Sequence, residues 1–241
     1  MPQQFSIRPV AFPRGVADSD SGATHACVRD RSGRIVAIAL AGGSVLWRSA
    51  QALRPLVIAR GEVIALRTAA PPVCVALALT DANAGREVWT SDPLPLPAWA
   101  ELESQDPARF WIAIAIGGAS LVLRWRARAR YAGGAAPSRR VLERAARDDE
   151  GSAAIERATG KVTMLSTAIG PEPAVEPEAG PAAPQILEQQ QLGGRLYQIA
   201  LEAVDRNVRT VLRALDLRGG APLWETIIDE GPARPPRALR L

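Results

Sequence analysis

Short apolar runs bounded by turn residues dominate the chain from end to end. The runs are five to nine residues long, alternating or continuous, and are bounded by Gly, Pro, Asp or Asn, a pattern typical of β-strands. It predicts sixteen strands in four groups of four. The predicted strands span residues 5–12, 24–30, 34–40 and 45–49; 56–59, 62–68, 73–80 and 86–91; 110–116, 120–131, 153–157 and 161–167; and 186–192, 195–204, 208–217 and 222–228.

Each group ends with the same sequence motif, which consists of a strand, a glycine turn and a second strand that carries a tryptophan. The motif occurs at 34–49, 73–91 and 208–226, and a degenerate copy at 152–165 has Leu165 near the tryptophan position. The predicted repeat anchors are Trp47, Trp89, Leu165 and Trp224. The first two anchors are 42 residues apart, and a regular period of this size is the signature of repeat architectures.

Two insertions account for the longer intervals between the later anchors. In 133–151, Ser138 is a candidate N-cap for a short helix over 139–147. Residues 170–184 are rich in Pro, Glu and Ala, a composition that predicts a mobile loop.

The repeats predict an all-β protein built from about four four-stranded blades, with tryptophans packed between blades. The expected divisions are 1–50 for blade 1, 51–97 for blade 2 and a Pro-rich connector, and 98–169 for blade 3 with its helical insertion. The loop 170–184 follows, and 185–241 forms blade 4 with a C-terminal closing segment.

The blade at 54–91 resembles the PQQ-type repeat of quinoprotein-like β-propellers. That repeat ends in an Ala-Leu-Asp segment, a Thr-Gly turn and Leu-Trp. The matching residues are 77–80, Leu215-Asp216, Thr159-Gly160-Lys161, Leu46-Trp47 and Leu223-Trp224. Members of the family usually have seven or eight blades. The resemblance therefore leaves three alternatives: a compact four-blade ring, half of a ring completed by a second chain, or an open arc on a partner.

Residues suited to catalysis are few. Catalytic members of that family hold a quinone under a vicinal disulfide, whereas Cys27 and Cys74 are far apart and are expected to be buried free thiols. His25, two residues before Cys27, could form a Cys/His pair but is expected to be a packed or surface side chain. We therefore predict no catalytic, cofactor-binding or metal-binding residues, no cofactor and no enzymatic activity.

One stretch, 123–131, places arginines on alternate positions of a strand. Arg124, Arg126, Arg128 and Arg130 share one face. One hypothesis is a solvated face balanced by acidic residues of the adjoining insertion, namely Glu143, Asp148, Asp149 or Glu150. The other is a docking strip for an acidic protein or a phosphate-bearing partner.

The function expected from these features is a non-catalytic scaffold for protein–protein interaction in a multi-component bacterial assembly. The alternative is a small-molecule sensor or lyase-type enzyme that uses the central funnel. The expected partners are proteins, acidic ones or those of an assembly with an ATPase, and a homodimer would complete a ring. A net charge of +4 and few aromatic residues disfavour nucleic acid. The apolar runs are too short to span a bilayer and the opening residues do not resemble a leader, so a cytoplasmic location is expected.

Overall fold

The computed structural model describes residues 10–18, 22–104, 106–117, 119–129, 147–165, 185–204, 207–217 and 222–232. These residues form four antiparallel sheets, which we call blades 1 to 4 in chain order, and in each blade consecutive strands are neighbours. The described residues contain no helix, and hence none that could cross a membrane. The predicted all-β class with four blades is confirmed.

The strand bounds follow the hydrophobic pattern closely. Blade 1 contains β1 (Val10–Phe12), β2 (Gly15–Ala17), β3 (His25–Arg29), β4 (Arg34–Ala39) and β5 (Val45–Ala52). Blade 2 contains β6 (Arg54–Ala59), β7 (Glu62–Arg67), β8 (Val73–Ala78) and β9 (Glu87–Thr90). Blade 3 contains β10 (Phe110–Gly117), β11 (Ser120–Ala129), β12 (Arg147–Glu156) and β13 (Val162–Leu165). Blade 4 contains β14 (Gln185–Leu192), β15 (Arg195–Val204), β16 (Asn207–Asp216) and β17 (Pro222–Pro232).

Two elements differ from the prediction. Blade 1 has a fifth strand, because the chain turns at Pro13-Arg14, where Arg14 has a φ of 54°, and forms the hairpin β1–β2. Arg147, the predicted end of the helix in the insertion, instead begins β12, whose residues from 147 to 151 pair with β11. Residues 139–146 of that helix and the loop 170–184 lie outside the described residues.

Three apolar clusters hold the blades together and define their order in space. One joins blade 4 to blade 1, a second joins blade 1 to blade 2, and a third joins blade 2 to blade 3. In the described part of the chain, no buried cluster contains side chains of both blade 3 and blade 4. The blades therefore stand in the order 4, 1, 2, 3. We call the side of a blade that faces the next blade in this order its forward face, and the other side its back face.

The first strands of the blades converge, as in a β-propeller. β6 lies against β2, β3 and β4 of blade 1 and against β10 of blade 3, while β1 lies beside β14. The last strands of the blades, β5, β9, β13 and β17, form the opposite edges of their sheets. The forward face of blade 3 and the back face of blade 4 are the two faces that no apolar cluster of the described residues joins to another blade.

Candidate interaction surface at the end of the blade row

Tryptophans on the fourth strands join successive blades through a repeated contact. The Trp47 Nε1–H of blade 1 donates to the Leu79 carbonyl of blade 2 at 2.8 Å. The Trp224 Nε1–H of blade 4 donates to the Leu40 carbonyl of blade 1 at 3.1 Å. Both rings lie on a turn glycine of the next blade: a Cβ added to Gly85 would be 3.1 Å from Trp47, and one added to Gly43 would be 2.4 Å from Trp224. The turn glycines thus make room for the anchors.

Trp89 is the third anchor and lacks part of this contact. It packs against the cluster between blades 2 and 3, but its Nε1 is buried with no hydrogen-bond partner. The turn glycine of blade 3, Gly160, instead lies on the backbone of blade 2, where an added Cβ would be 2.5 Å from the Thr90 carbonyl oxygen.

Blade 3 has no tryptophan anchor on its own forward face. In the other blades a β-bulge in the last strand precedes the tryptophan, which pairs with Ala37, Ala76 or Ala214. The last strand of blade 3 pairs without a bulge, so that Thr163, opposite Ala154, takes the equivalent position. Leu165 lies two residues further along, opposite Ser152, and is 37% exposed. Leu165, the predicted fourth anchor, therefore lies two residues beyond the position that the tryptophans take in the other blades.

The arginines of β11 lie on this forward face, which we call the end face of blade 3. Alternation buries Leu121, Leu123, Trp125 and Ala127 against blade 2 and directs the arginines to the other side. Arg128 pairs with Asp148 at 3.0 Å and Arg126 pairs with Glu150, each directly across the strand pair. Arg124 is exposed opposite Ser152 and makes no ion pair with any described residue.

The structure thus assigns partners within the blade to two of the four arginines. Asp148 and Glu150 are two of the acidic residues named from the sequence as partners. A third, Asp149, lies on the opposite face, where its carboxylate accepts the Trp125 Nε1–H at 3.1 Å. Arg130 and Glu143 lie outside the described residues. Sequence alternation identified the face, whereas the partners could be identified only once β12 was known to pair with β11.

The back face of blade 4, at the other end of the row, carries a second charged ladder. Glu202 accepts from Arg209 at 2.7 Å and also from Arg213, which contacts Glu225 at 2.6 Å. Val211, on the same face of the sheet, is fully buried. The back face of blade 4 therefore combines a charged ladder with a buried apolar side chain.

The thiols and the histidine are held in structural environments. Cys27 and Cys74 are free and completely buried, and burial raises the pKa of both thiols, that of Cys74 to about 12. Both therefore remain protonated and unreactive at neutral pH. The His25 Nδ1 lies 2.8 Å from the Thr24 hydroxyl oxygen and 3.3 Å from Asp18. Burial alone would raise the pKa of Asp18, but hydrogen bonds from Thr24 and His25 outweigh it and hold the pKa below its ordinary value.

A groove of about 880 Å³ lies beside blade 2 and was not predicted from the sequence. Its walls come from the turn after β7 and from the Pro-rich connector, including Pro71, Leu96 and Leu102, with Glu103 at its border. Glu103 accepts from Thr68 and Arg29. Burial would raise the pKa of Glu103, but these contacts lower it overall. The groove is at the connector, whereas the alternative prediction placed a ligand in the central funnel.

Comparisons with known proteins identify a distant structural neighbour. No protein family and no curated protein matches the chain. The crystal structure of BamB from Moraxella catarrhalis matches with a TM-score of 0.34 and 15% sequence identity, over 94% of this chain and 68% of that chain. In the part of the chain that the structure describes, no group of three or more His, Cys, Asp or Glu side chains could hold a metal ion.

Proposed function

We propose that this protein is a non-catalytic scaffold for protein–protein interaction and that the end face of blade 3 is its docking surface. The observation that carries the proposal is the exposed Arg124, which makes no ion pair with any described residue and lies on the forward face of its blade. Blades 4, 1 and 2 each bury this face in an apolar cluster.

The chemistry of the end face suits a polar protein partner. Arginine binds carboxylates and phosphates with two parallel hydrogen bonds, so Arg124 favours an acidic group on the partner. Trp111 and Val122 are half-buried on the same face and offer apolar area beside the charge. Charged groups at such a surface contribute more to specificity and association rate than to affinity.

The wider setting is a further part of the hypothesis. A multi-component bacterial assembly, with or without an ATPase, rests on the PQQ-type repeat resemblance, whereas a cytoplasmic location rests on the shortness of the apolar runs.

The test is capture of partners by the full-length protein and by two charge-reversal variants. Arg124→Glu should abolish stoichiometric capture from the native host and leave folding intact, because no internal ion pair is lost. Arg86→Glu, in the exposed turn before β9, is the matched control and should capture normally. Equal capture by both variants would overturn the assignment of the docking surface.

A further inference from the structure

We propose that the groove between the turn after β7 and the Pro-rich connector binds a small organic cation, an apolar molecule that carries a positively charged amine or guanidine group. All of the lining residues lie between Thr68 and Ser104, so the groove shares no residue with the end face of blade 3. The inference therefore goes beyond the proposed function and does not depend on it.

The two walls of the groove touch at both of its ends. At one end, the Leu94 N–H on the connector donates to the Pro72 carbonyl on the turn at 2.8 Å. At the other end, the Thr68 hydroxyl on the turn donates to the Glu103 carboxylate on the connector. Because an extended peptide would have to cross one of these contacts, the groove suits a compact molecule that enters from its open side. Its volume of about 880 Å³ is typical of small-molecule sites.

Contacts with blades 2 and 3 hold the connector wall in place. The Arg54 guanidinium donates to the carbonyls of Leu102 and Ser104, both at 3.1 Å, and lies 5.4 Å from the centre of the Phe110 ring. Four connector side chains also pack on the apolar cluster between blades 2 and 3, namely Leu96, Trp99, Ala100 and Leu102. A wall fixed in this way is already ordered before a ligand binds, which lowers the entropic cost of binding.

The lining of the groove is mostly apolar and its charges are all negative. Leucines and prolines form much of the walls, among them Pro71, Pro72, Leu94, Leu96, Pro97 and Leu102. Glu101 and Glu103 line the groove, and no Arg or Lys is among the described lining residues. The surrounding segment, 92–109, contains four acidic residues and one basic residue in a chain whose net charge is +4. An apolar body with a positive charge is therefore the complementary ligand.

Both carboxylates are accessible to a ligand in the groove. The side chains of Glu101 and Glu103 are 54% and 51% exposed. Glu103 accepts one hydrogen bond on each oxygen, from Thr68 and from Arg29, and a carboxylate can accept about four. Glu101 pairs with Arg109 at 2.9 Å on the surface. Exposed pairs of this kind contribute little to stability, so an ammonium or guanidinium group of a ligand can take the place of Arg109.

Three dansyl compounds of different charge test the chemistry of the ligand. Dansylcadaverine carries an ammonium group, dansylamide is neutral and dansylglycine carries a carboxylate. All three contain the same apolar fluorophore, whose emission moves to shorter wavelength in apolar surroundings. Titration of each compound with the purified full-length chain measures its dissociation constant. We expect dansylcadaverine to bind about fivefold more tightly than dansylamide and dansylglycine to bind most weakly.

Three variants test the site. Glu101→Gln removes one negative charge and leaves the contacts of Glu103 in place, so it should weaken dansylcadaverine binding about two- to fivefold and change dansylamide binding little. Asp92→Asn, at an exposed position of the same connector outside the groove, is the matched control and should bind all three compounds as the parent chain does. Ala98→Trp puts a large side chain at an exposed lining position and should abolish binding of all three without changing the melting temperature.

Four outcomes would overturn the inference. Equal affinity for the three compounds, or equal losses in Glu101→Gln and Asp92→Asn, would contradict the preference for a cation. Unchanged binding by Ala98→Trp would show that the compounds bind outside the groove. Arg124→Glu, on the proposed docking surface, should bind dansylcadaverine as the parent chain does, and a loss of binding in this variant would place the cation site on blade 3.

Discussion

Single side chains decide how firmly successive blades are joined. Trp47 and Trp224 each combine ring burial with a hydrogen bond to the next blade, whereas Trp89 has the burial and a buried Nε1 without a partner. A buried donor without an acceptor costs about 1–3 kcal/mol of stability. The three anchors therefore occupy equivalent positions in the repeats but contribute different amounts to the free energy of unfolding.

Replacing each anchor by phenylalanine separates the hydrogen bond from the burial. Trp47→Phe and Trp224→Phe lose the hydrogen bond to the Leu79 or Leu40 carbonyl, whereas Trp89→Phe removes an unsatisfied donor. We expect the free energy of unfolding to fall by about 1 kcal/mol more in the first two variants than in the third, as measured by urea denaturation. Equal losses in all three would show that Trp89 Nε1 has an acceptor in solution.

A buried carboxylate at the turn between β3 and β4 predicts a pH dependence. Asp30 is 5% exposed and accepts hydrogen bonds from the Ser32 N–H at 2.9 Å and hydroxyl at 2.7 Å and from the Arg34 N–H at 2.9 Å. Burial would raise the pKa of Asp30, but these bonds and the Arg34 charge lower it overall. Because the folded pKa lies below the unfolded value of about 3.9, the stabilisation is present above that pH and is lost as the pH falls through the folded pKa.

Asp30→Asn should therefore lower the free energy of unfolding at pH 7 by about 1–3 kcal/mol, and by less at acidic pH. Urea denaturation at several pH values measures the difference. Asp92→Asn, at an exposed position, serves as the control and should change stability little at any pH. A loss for Asp30→Asn that is independent of pH would contradict the electrostatic account.

At the scale of elements, turns and strand pairs determine which faces can pack. Glycine turns with positive φ receive the anchors of the preceding blade, and the β-bulge directs each tryptophan forward. Blade 3 lacks the bulge and presents ion pairs on its forward face instead. The element that ends the row therefore differs from its neighbours in register as well as in sequence.

Two turn glycines have similar φ values but different surroundings, so that comparing their alanine variants distinguishes the cost of backbone strain from the cost of a steric clash. Gly43 (φ 73°) lies against the Trp224 ring, whereas Gly61 (φ 78°) has open space where a Cβ would be. Gly61→Ala should cost only the strain of a positive φ, about 1–2 kcal/mol. Gly43→Ala should cost a further ~1–3 kcal/mol, because the methyl group would displace the tryptophan. Equal melting temperatures for the two variants would contradict the packing of Trp224 on this turn.

The ion pairs of blade 3 can be tested by reversing and then restoring them. Arg126→Glu with Arg128→Glu places like charges opposite each other, which should lower the free energy of unfolding by about 1–2 kcal/mol. Adding Asp148→Arg and Glu150→Arg should restore it, and Arg124→Glu alone should change it by less than about 0.5 kcal/mol. Chemical denaturation measures all three, and a double variant as stable as the parent chain would mean that these surface pairs contribute nothing.

At the scale of the whole molecule, chain order and spatial order differ. Blade 4 packs on blade 1, so the last blade in the sequence lies first in the row. Among the described residues, three clusters join the blades, and none of them contains side chains of both blade 3 and blade 4.

A circular permutant tests this order directly. A chain of residues 185–241 followed by 1–165 removes 166–184 and joins blade 4 to blade 1 through 233–241 and 1–9. These eighteen residues can span roughly 60 Å at about 3.3 Å each, so we expect the permutant to fold with a stability within about 1 kcal/mol of the parent chain. Deleting 185–241 is the control and should cause aggregation, because it exposes the apolar face of blade 1. A permutant that fails to fold would show that the removed segment supports the structure.

The sequence by itself determined the strands, the four groups and the turn glycines, because alternation and turn chemistry are local properties of a few neighbouring residues. It also placed Arg124, Arg126 and Arg128 on one face, since side chains in a strand alternate. The ion-pair partners of Arg126 and Arg128, the shift of the anchor position from Leu165 to Thr163, and the order 4, 1, 2, 3 were decided only by the tertiary structure. Each depends on which strands and faces meet across long stretches of chain, and those contacts are selected by the burial of whole faces rather than by any local pattern.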